Sequence, residues 1–159
     1  MKYTYDYNAR VNGTYDKAFK TVGRCIYCEV DRDSIIKEDK YSYLVVNNYP
    51  YLEGHLLIAP KRHIELMHEL DNKEWESLRG LFVLGSKLLR KELDIVDTWF
   101  IFRNGKGFNG GKTVPHMHVH ILPFDLSVFR IKYKSISFHP LDLAKDLREL
   151  IKSGVPPPI

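Results

Sequence analysis

Apolar and polar positions along the chain fall into short runs of alternating or continuous apolar character, separated by two stretches of helical period. Tyr41-Ser42-Tyr43-Leu44-Val45-Val46-Asn47 is rich in aromatic and β-branched residues and predicts a strand, with Ser34 to Lys40 leading into it. Asn48-Tyr49-Pro50 ends that strand and Glu53-Gly54 turns the chain. His55 to Pro60 then predicts a second strand, antiparallel to the first. From about Asn72 to Leu93, Trp75, Leu78, Leu81, Phe82, Leu88 and Leu89 recur at helical spacing behind an Asp71/Glu74 capping signature. Thr98 to Arg103 and Val114 to Leu122 predict two further strands, joined by the glycine-rich loop Asn104 to Gly111. Arg130 to Lys134 alternates basic and apolar residues, as an edge strand or extended arm does. Leu141 to Ile151 predicts a second helix and Val155 to Pro158 an extended tail.

Consecutive strands with isolated helices indicate an α+β domain: an antiparallel sheet of about five strands, one long helix and a C-terminal helix. Nothing in the pattern marks a repeat, a linker or a second domain. The expectation is one domain over residues 1–159, with an arm at 1–24, a core at 25–123 and a C-terminal extension at 124–159.

Composition narrows the function classes. The chain has 159 residues, 44% hydrophobic and 28% charged, enough for one core and outside the range of global disorder. No run approaches the roughly 18 apolar residues of a membrane span. The opening Met1 to Asp6 lacks a signal peptide's apolar stretch, so a cytoplasmic location without membrane contact is expected. Formal charge is +4, from 24 basic and 20 acidic residues. That bias admits an anionic ligand but is too weak to argue for nucleic acid. Cys25 and Cys28, three apart, suggest a metal or redox site rather than a disulfide framework.

Of the seven histidines, three lie in His116-Met117-His118-Val119-His120. On a strand they share one face over roughly 13 Å, while Met117, Val119 and Ile121 share the other. Two chemistries compete for such a row: metal ligation, or a histidine nucleophile attacking phosphorus with its neighbours holding tautomer and charge. The preceding loop favours phosphate. Gly105, Gly107, Gly110 and Gly111 let backbone N–H groups approach an anion, and Arg103, Lys106 and Lys112 add positive charge.

At these residues the chain resembles the histidine triad (HIT) superfamily of nucleotide hydrolases and transferases. The resemblance rests on His116-Met117-His118-Val119-His120-Ile121-Leu122-Pro123, on Val46 to Pro50 with Glu53 to Lys61, and on Gly110 to Pro115. It covers about Cys25 to Pro123. It implies that His118 attacks the α-phosphorus to form a covalent nucleotidyl-histidine, which water or another acceptor releases. By the same resemblance His120 stabilises charge on the transferring oxygens, Asn47 meets the ribose hydroxyls, and Leu44 and Val46 wall the base. Asn104 and Thr113, flanking the glycine loop, are expected substrate contacts, and His55 is expected either within hydrogen-bond reach of the triad or as a plain strand-end histidine. Lys112 stands where many relatives carry glutamine or another small polar residue, which implies direct charge contact with the phosphate chain.

Cys25-Ile26-Tyr27-Cys28 further resembles the zinc-bearing branch of the superfamily. Carried over, the ligands are Cys25, Cys28, His63 and His116, a closed set suited to structural zinc. A thioredoxin-like reading of the two cysteines lacks the βαβ pattern that accompanies it. His68 is a weaker alternative ligand and His139 a loop residue. The expected partner is a small nucleotide, and the family implies a homodimer in which the helix around Trp75 to Leu89 supplies an interface. Alternatives are a phosphorylase that uses inorganic phosphate as acceptor and a slow-turnover nucleotide-binding protein. A double-stranded β-helix oxygenase needs more strands than this chain supplies.

Overall fold

The computed structural model describes residues 8–15, 25–105, 113–124 and 139–154. Five strands form one sheet: β1 (Ile35–Glu38), β2 (Ser42–Val46), β3 (Leu56–Pro60), β4 (Thr98–Phe102) and β5 (Val119–Pro123). Their spatial order is β1-β2-β3-β5-β4, and every neighbouring pair is antiparallel. The long helix α1 (Asn72–Leu93) carries the chain from β3 to β4, and β5 fills the place left between them. The fold is therefore α+β, as expected. The chain divides into two compact units, Met1–Phe124 and Asp125–Ile159. Within the second, helix α2 (Pro140–Lys152) is capped by His139, whose Nδ1 accepts the Leu141 N–H.

The first strand forms within the segment that the pattern reads only as a lead-in to β2. Arg130 to Lys134 lies outside the described residues, and β1 within the Ser34–Lys40 lead-in completes the count. β5 is also shorter than Val114 to Leu122. Its pairing with β3 ends at Ile58↔Val119 for a local reason. Pro60 has no N–H to offer, its carbonyl accepts from His116 Nε2 at 2.9 Å, and the Met117 N–H turns to Ile64 O at 2.6 Å. His116 and His118 thus precede the ladder, and only His120 lies within it.

Each sheet face has its own core. Leu44, Leu56, Ile58, Val119 and Ile121 pack with Met117 against Leu78, Leu81 and Leu89 of α1. Val45, Leu57 and Ala59 pack on the other face with Tyr27 and Val114. Helix α1 starts with a complete capping box: Asp71 accepts the Glu74 N–H at 2.8 Å, and Glu74 accepts the Asp71 N–H at 2.9 Å. A Cβ on Gly85 would lie 2.6 Å from Ile121 Cδ1, so the glycine lets α1 sit close over β5. Gly54, at φ +76°, makes the turn into β3 in a conformation that side chains disfavour.

Candidate active site

The site lies on the sheet face away from α1, in an open pocket. β2 ends there at Val45, Val46 and Asn47, β3 contributes Leu57, and the β5 segment contributes His118 and His120. All three histidines of the row are buried, as is His55. Buried imidazoles need partners for their nitrogens, and those partners define the tautomers.

His118 Nδ1 lies 2.8 Å from the His116 carbonyl oxygen. A carbonyl only accepts, so Nδ1 carries the proton and the lone pair sits on Nε2. His55 has the complementary arrangement. The Tyr51 N–H donates to its Nδ1 at 3.1 Å, and the Asn47 side-chain amide reaches the same atom at 3.0 Å. Its proton is therefore on Nε2, 2.8 Å from His120 Nδ1. His120 accepts there, which leaves its own proton on Nε2. That atom is buried without a partner among the described residues, on a side chain that lines the pocket. The His118 and His120 ring centroids stand 5.0 Å apart. The pocket therefore holds a nucleophilic nitrogen next to a hydrogen-bond donor. The charge environment keeps this network neutral. Burial, then the positive groups Arg10 and Arg103, lower the His55 pKa to about 3. Burial, then the neighbouring His118 and His55 and the same two arginines, lower that of His120 to about 2.

A second cluster adjoins the pocket. Cys25 Sγ and Cys28 Sγ lie 3.2 and 3.7 Å from His116 Nδ1, and Cys28 Sγ lies 3.2 Å from His63 Nδ1. All four ligand atoms fall within 4.8 Å of one another. Tetrahedral bonds of zinc length would separate such atoms by about 3.4–3.8 Å. His116 Nε2 donates to the Pro60 carbonyl at 2.9 Å, which directs the Nδ1 lone pair at the two sulfurs. The donor set fits a cation such as zinc.

The HIT domain model matches residues 29–126, well over half the chain. This chain belongs to the HIT family. It is 30% identical over 94 residues to a Dictyostelium discoideum bis(5'-adenosyl)-triphosphatase, covering 59% of this chain and 62% of that protein. It is 32% identical over 103 residues to the Saccharomyces cerevisiae adenosine 5'-monophosphoramidase HNT1, covering 62% of this chain and 61% of that one. It is also 33% identical over 97 residues to the Caenorhabditis elegans NitFhit fusion protein, covering 59% of this chain but 21% of the fusion. The matches thus span less than two thirds of each of these relatives. Plasmodium falciparum diadenosine triphosphate hydrolase superposes with a TM-score of 0.55 at 26% identity, covering 78% of this chain and 77% of that one. A Bacillus anthracis HIT family protein superposes with a TM-score of 0.70 at 21% identity, covering 86% and 100%, a likeness of fold.

Within this HIT domain the expected site residues separate. His118, His120, Asn47, Val46 and Thr113 line the pocket. His55 reaches it through His120. Leu44 does not reach it: its side chain packs in the core under α1, so Val45, on the opposite face of β2, and Val46, at the strand's exposed end, take the pocket positions. The Asn104 side chain is bound to the Met67 N–H at 2.9 Å and borders a separate small recess. Lys112 and the rest of the glycine loop, 106–112, lie outside the described residues. Cys25, Cys28, His63 and His116 come together, whereas His68 sits on an exposed single-turn 3₁₀ helix, Met67–Glu69. Sequence reasoning missed Arg10, Tyr15, Tyr27 and Tyr51, all pocket residues. For Arg10 and Tyr15, in an arm with no apolar period, no sequence signal was present.

Two histidines buried neutral give stability a definite pH slope. Their folded pKa values, about 3 and about 2, lie below the unfolded value of 6.5. The unfolded chain therefore takes up protons first as the pH falls. Stability is full above about pH 6.5 and is lost on acidification toward the folded values, at up to about 1.4 kcal/mol per pH unit for each group. Urea unfolding midpoints should fall steadily from pH 6.5 to 4. In His55→Gln the slope should be smaller, and an equal slope in both proteins would refute the assignment.

Proposed function

We propose that this chain is a nucleotide hydrolase or transferase that acts on the α-phosphate of dinucleoside polyphosphates or nucleotide conjugates. The observation that carries the reading is the pair of opposite tautomers: an Nε2 lone pair on His118 and an Nε2–H on His120, side by side in one pocket. The His118 lone pair attacks the α-phosphorus, the bond to the leaving oxygen breaks, and a nucleotidyl-His118 forms. The His120 N–H stabilises negative charge on the phosphoryl and leaving oxygens. Water then attacks the same phosphorus, the P–N bond breaks, and the nucleoside monophosphate departs. Inorganic phosphate as acceptor would make the same chain a phosphorylase. Asn47, between the pocket and His55, meets the ribose, and Val45, Val46 and Leu57 wall the base. The relatives named as a triphosphatase and a phosphoramidase support this substrate class.

Cys25, Cys28, His63 and His116 hold a structural zinc in this reading, binding residues 25–28 to the β5 segment. Its contribution is to folding; the transfer chemistry stays with His118. The chain acts as a homodimer. β4 is an edge strand, and beside it Phe100, Trp75 and Val83 are 40%, 43% and 49% exposed. Trp75 and Phe82 of α1 meet Phe102 and Phe100 of β4 in ring contacts, so the apolar patch is continuous. No helix among the described residues is long and apolar enough to cross a membrane.

Mass spectrometry after brief exposure to diadenosine triphosphate should find a nucleotidyl adduct on His118. His118→Ala should lose about 10⁴-fold or more in kcat. Turnover retained in that variant would sink the mechanism, and product formed with and without phosphate separates hydrolase from phosphorylase. Metal analysis should find about one zinc per chain. Chelation, or Cys28→Ser, should lower the melting temperature by several degrees, and a metal-free preparation with unchanged melting would remove zinc from the account. Sedimentation should give twice the 18.6 kDa chain mass. Phe100→Glu should halve it, and a monomeric wild type would exclude the dimer.

A further inference from the structure

Residues 8–15 bring a second cation to the pocket from outside the motifs that carry the family resemblance. Val11 and Asn12 N–H groups close a turn on the Asn8 carbonyl, and the segment lies against the β2–β3 connection. Arg10 Nε donates to the Tyr49 carbonyl at 2.8 Å. Its guanidinium carbon sits 3.7 Å from the Tyr15 ring centroid and 4.2 Å from that of Tyr51. Arg103, at the end of β4, donates from Nη2 to the Tyr51 hydroxyl at 2.8 Å. The Tyr51 ring in turn stacks on His120, with centroids 5.6 Å apart and planes 18° apart. One tyrosine therefore ties two guanidinium groups to the histidine that faces the leaving group. Both arginines line the same pocket as His118 and His120.

This arrangement has no structural counter-charge on Arg10. Among the described residues no carboxylate stands within salt-bridge distance of it, although Glu29 and Asp31 also line the pocket. Stacking on tyrosine uses the face of a guanidinium and leaves its N–H edge for oxygen acceptors in plane. Planar N–H donors match phosphate oxygens two at a time. The field of both groups already reaches the reacting histidines, since each disfavours the protonated forms of His55 and His120. Such fixed positive charge is compensated when an anion enters.

We propose that Arg10 and Arg103, joined through Tyr51, clamp the phosphates beyond the α-phosphate, so that the site prefers nucleotides whose leaving group is itself a phosphate chain. The inference rests on the nucleotidyl-transfer reading and deepens it by naming the leaving-group class. A departing phosphate chain leaves as an anion that the two arginines stabilise. An amine leaving group needs a proton and gains nothing from them.

The test compares kcat/KM for diadenosine triphosphate with kcat/KM for adenosine 5'-phosphoramidate, in the wild type and in Arg10→Gln, Arg103→Gln and Arg10→Lys. Loss of one charge-assisted phosphate contact should lower the triphosphate-to-phosphoramidate ratio about tenfold. Arg10→Lys, which keeps the charge but not the fork, should recover part of it. Calorimetry supplies a readout independent of turnover: ATP should bind the wild type more tightly than AMP does, and each glutamine variant should shrink that difference. An unchanged ratio in the variants, even with both rates reduced, would show that the arginines only hold the segment in place. ATP binding no tighter than AMP would overturn the clamp directly. A wild type that turns over neither substrate and forms no His118 adduct would refute the transfer reading instead, and the ATP–AMP comparison would still decide the clamp.

Discussion

Four imidazoles, those of His55, His116, His118 and His120, are withdrawn almost completely from water. An unpaired buried N–H costs about 1–3 kcal/mol, so their hydrogen bonds must be settled by the fold. Three backbone groups settle them. The Pro60 carbonyl takes the His116 Nε2 proton, the His116 carbonyl takes the His118 Nδ1 proton, and the Tyr51 N–H fixes His55. Because backbone N–H and C=O groups cannot exchange roles, each imidazole is held in one tautomer. Among the described residues His120 Nε2 is buried without a partner, on a side chain that lines the pocket beside His118. A site for an anion emerges from the same bonds that make burial tolerable.

What the sequence exposed, and what it hid, follows from the range of the interactions. Helix α1 was readable to the residue because its period and its Asp71/Glu74 box are local. The facing of Met117, Val119 and Ile121 toward α1 was readable because strand alternation is local. The start of β5 was not, since it depends on Pro60 and Ile64, more than fifty residues earlier in the chain. Leu44 shows the same limit in another form. Alternation places Leu44 and Val46 on one side of β2, but only the packing of α1 decides which side becomes core. Arg10 marks the far end of this scale, because nothing near it in the chain encodes its contacts with Tyr49 and Tyr51.

The order β3-β5-β4 also explains why the site has two sources of charge control. β5 is an interior strand, so His120 is flanked by Leu57 of β3 and Ile101 of β4 and is buried. In such surroundings an imidazole is a donor or acceptor of fixed sense rather than a proton reservoir. A charge brought into the pocket then has to be met by groups at the rim. Arg103 reaches the rim from the last turn of β4's course, and Arg10 from residues that belong to no strand.

The Cys/His cluster and the His118/His120 pair are coupled through one residue. His116 presents its ring to Cys25 and Cys28 and its carbonyl to His118 Nδ1. Whatever holds the ring holds the peptide, and the peptide carbonyl sets which nitrogen of His118 bears the lone pair. Tyr27, between the two cysteines in sequence, packs against both His116 and His118, with centroids 5.5 and 4.9 Å away. The cluster therefore acts on His118 twice, through a hydrogen bond and through a packed ring. Loosening it would let the His118 imidazole rotate or exchange tautomers, a loss of alignment with no change in the side chains of His118 and His120 themselves.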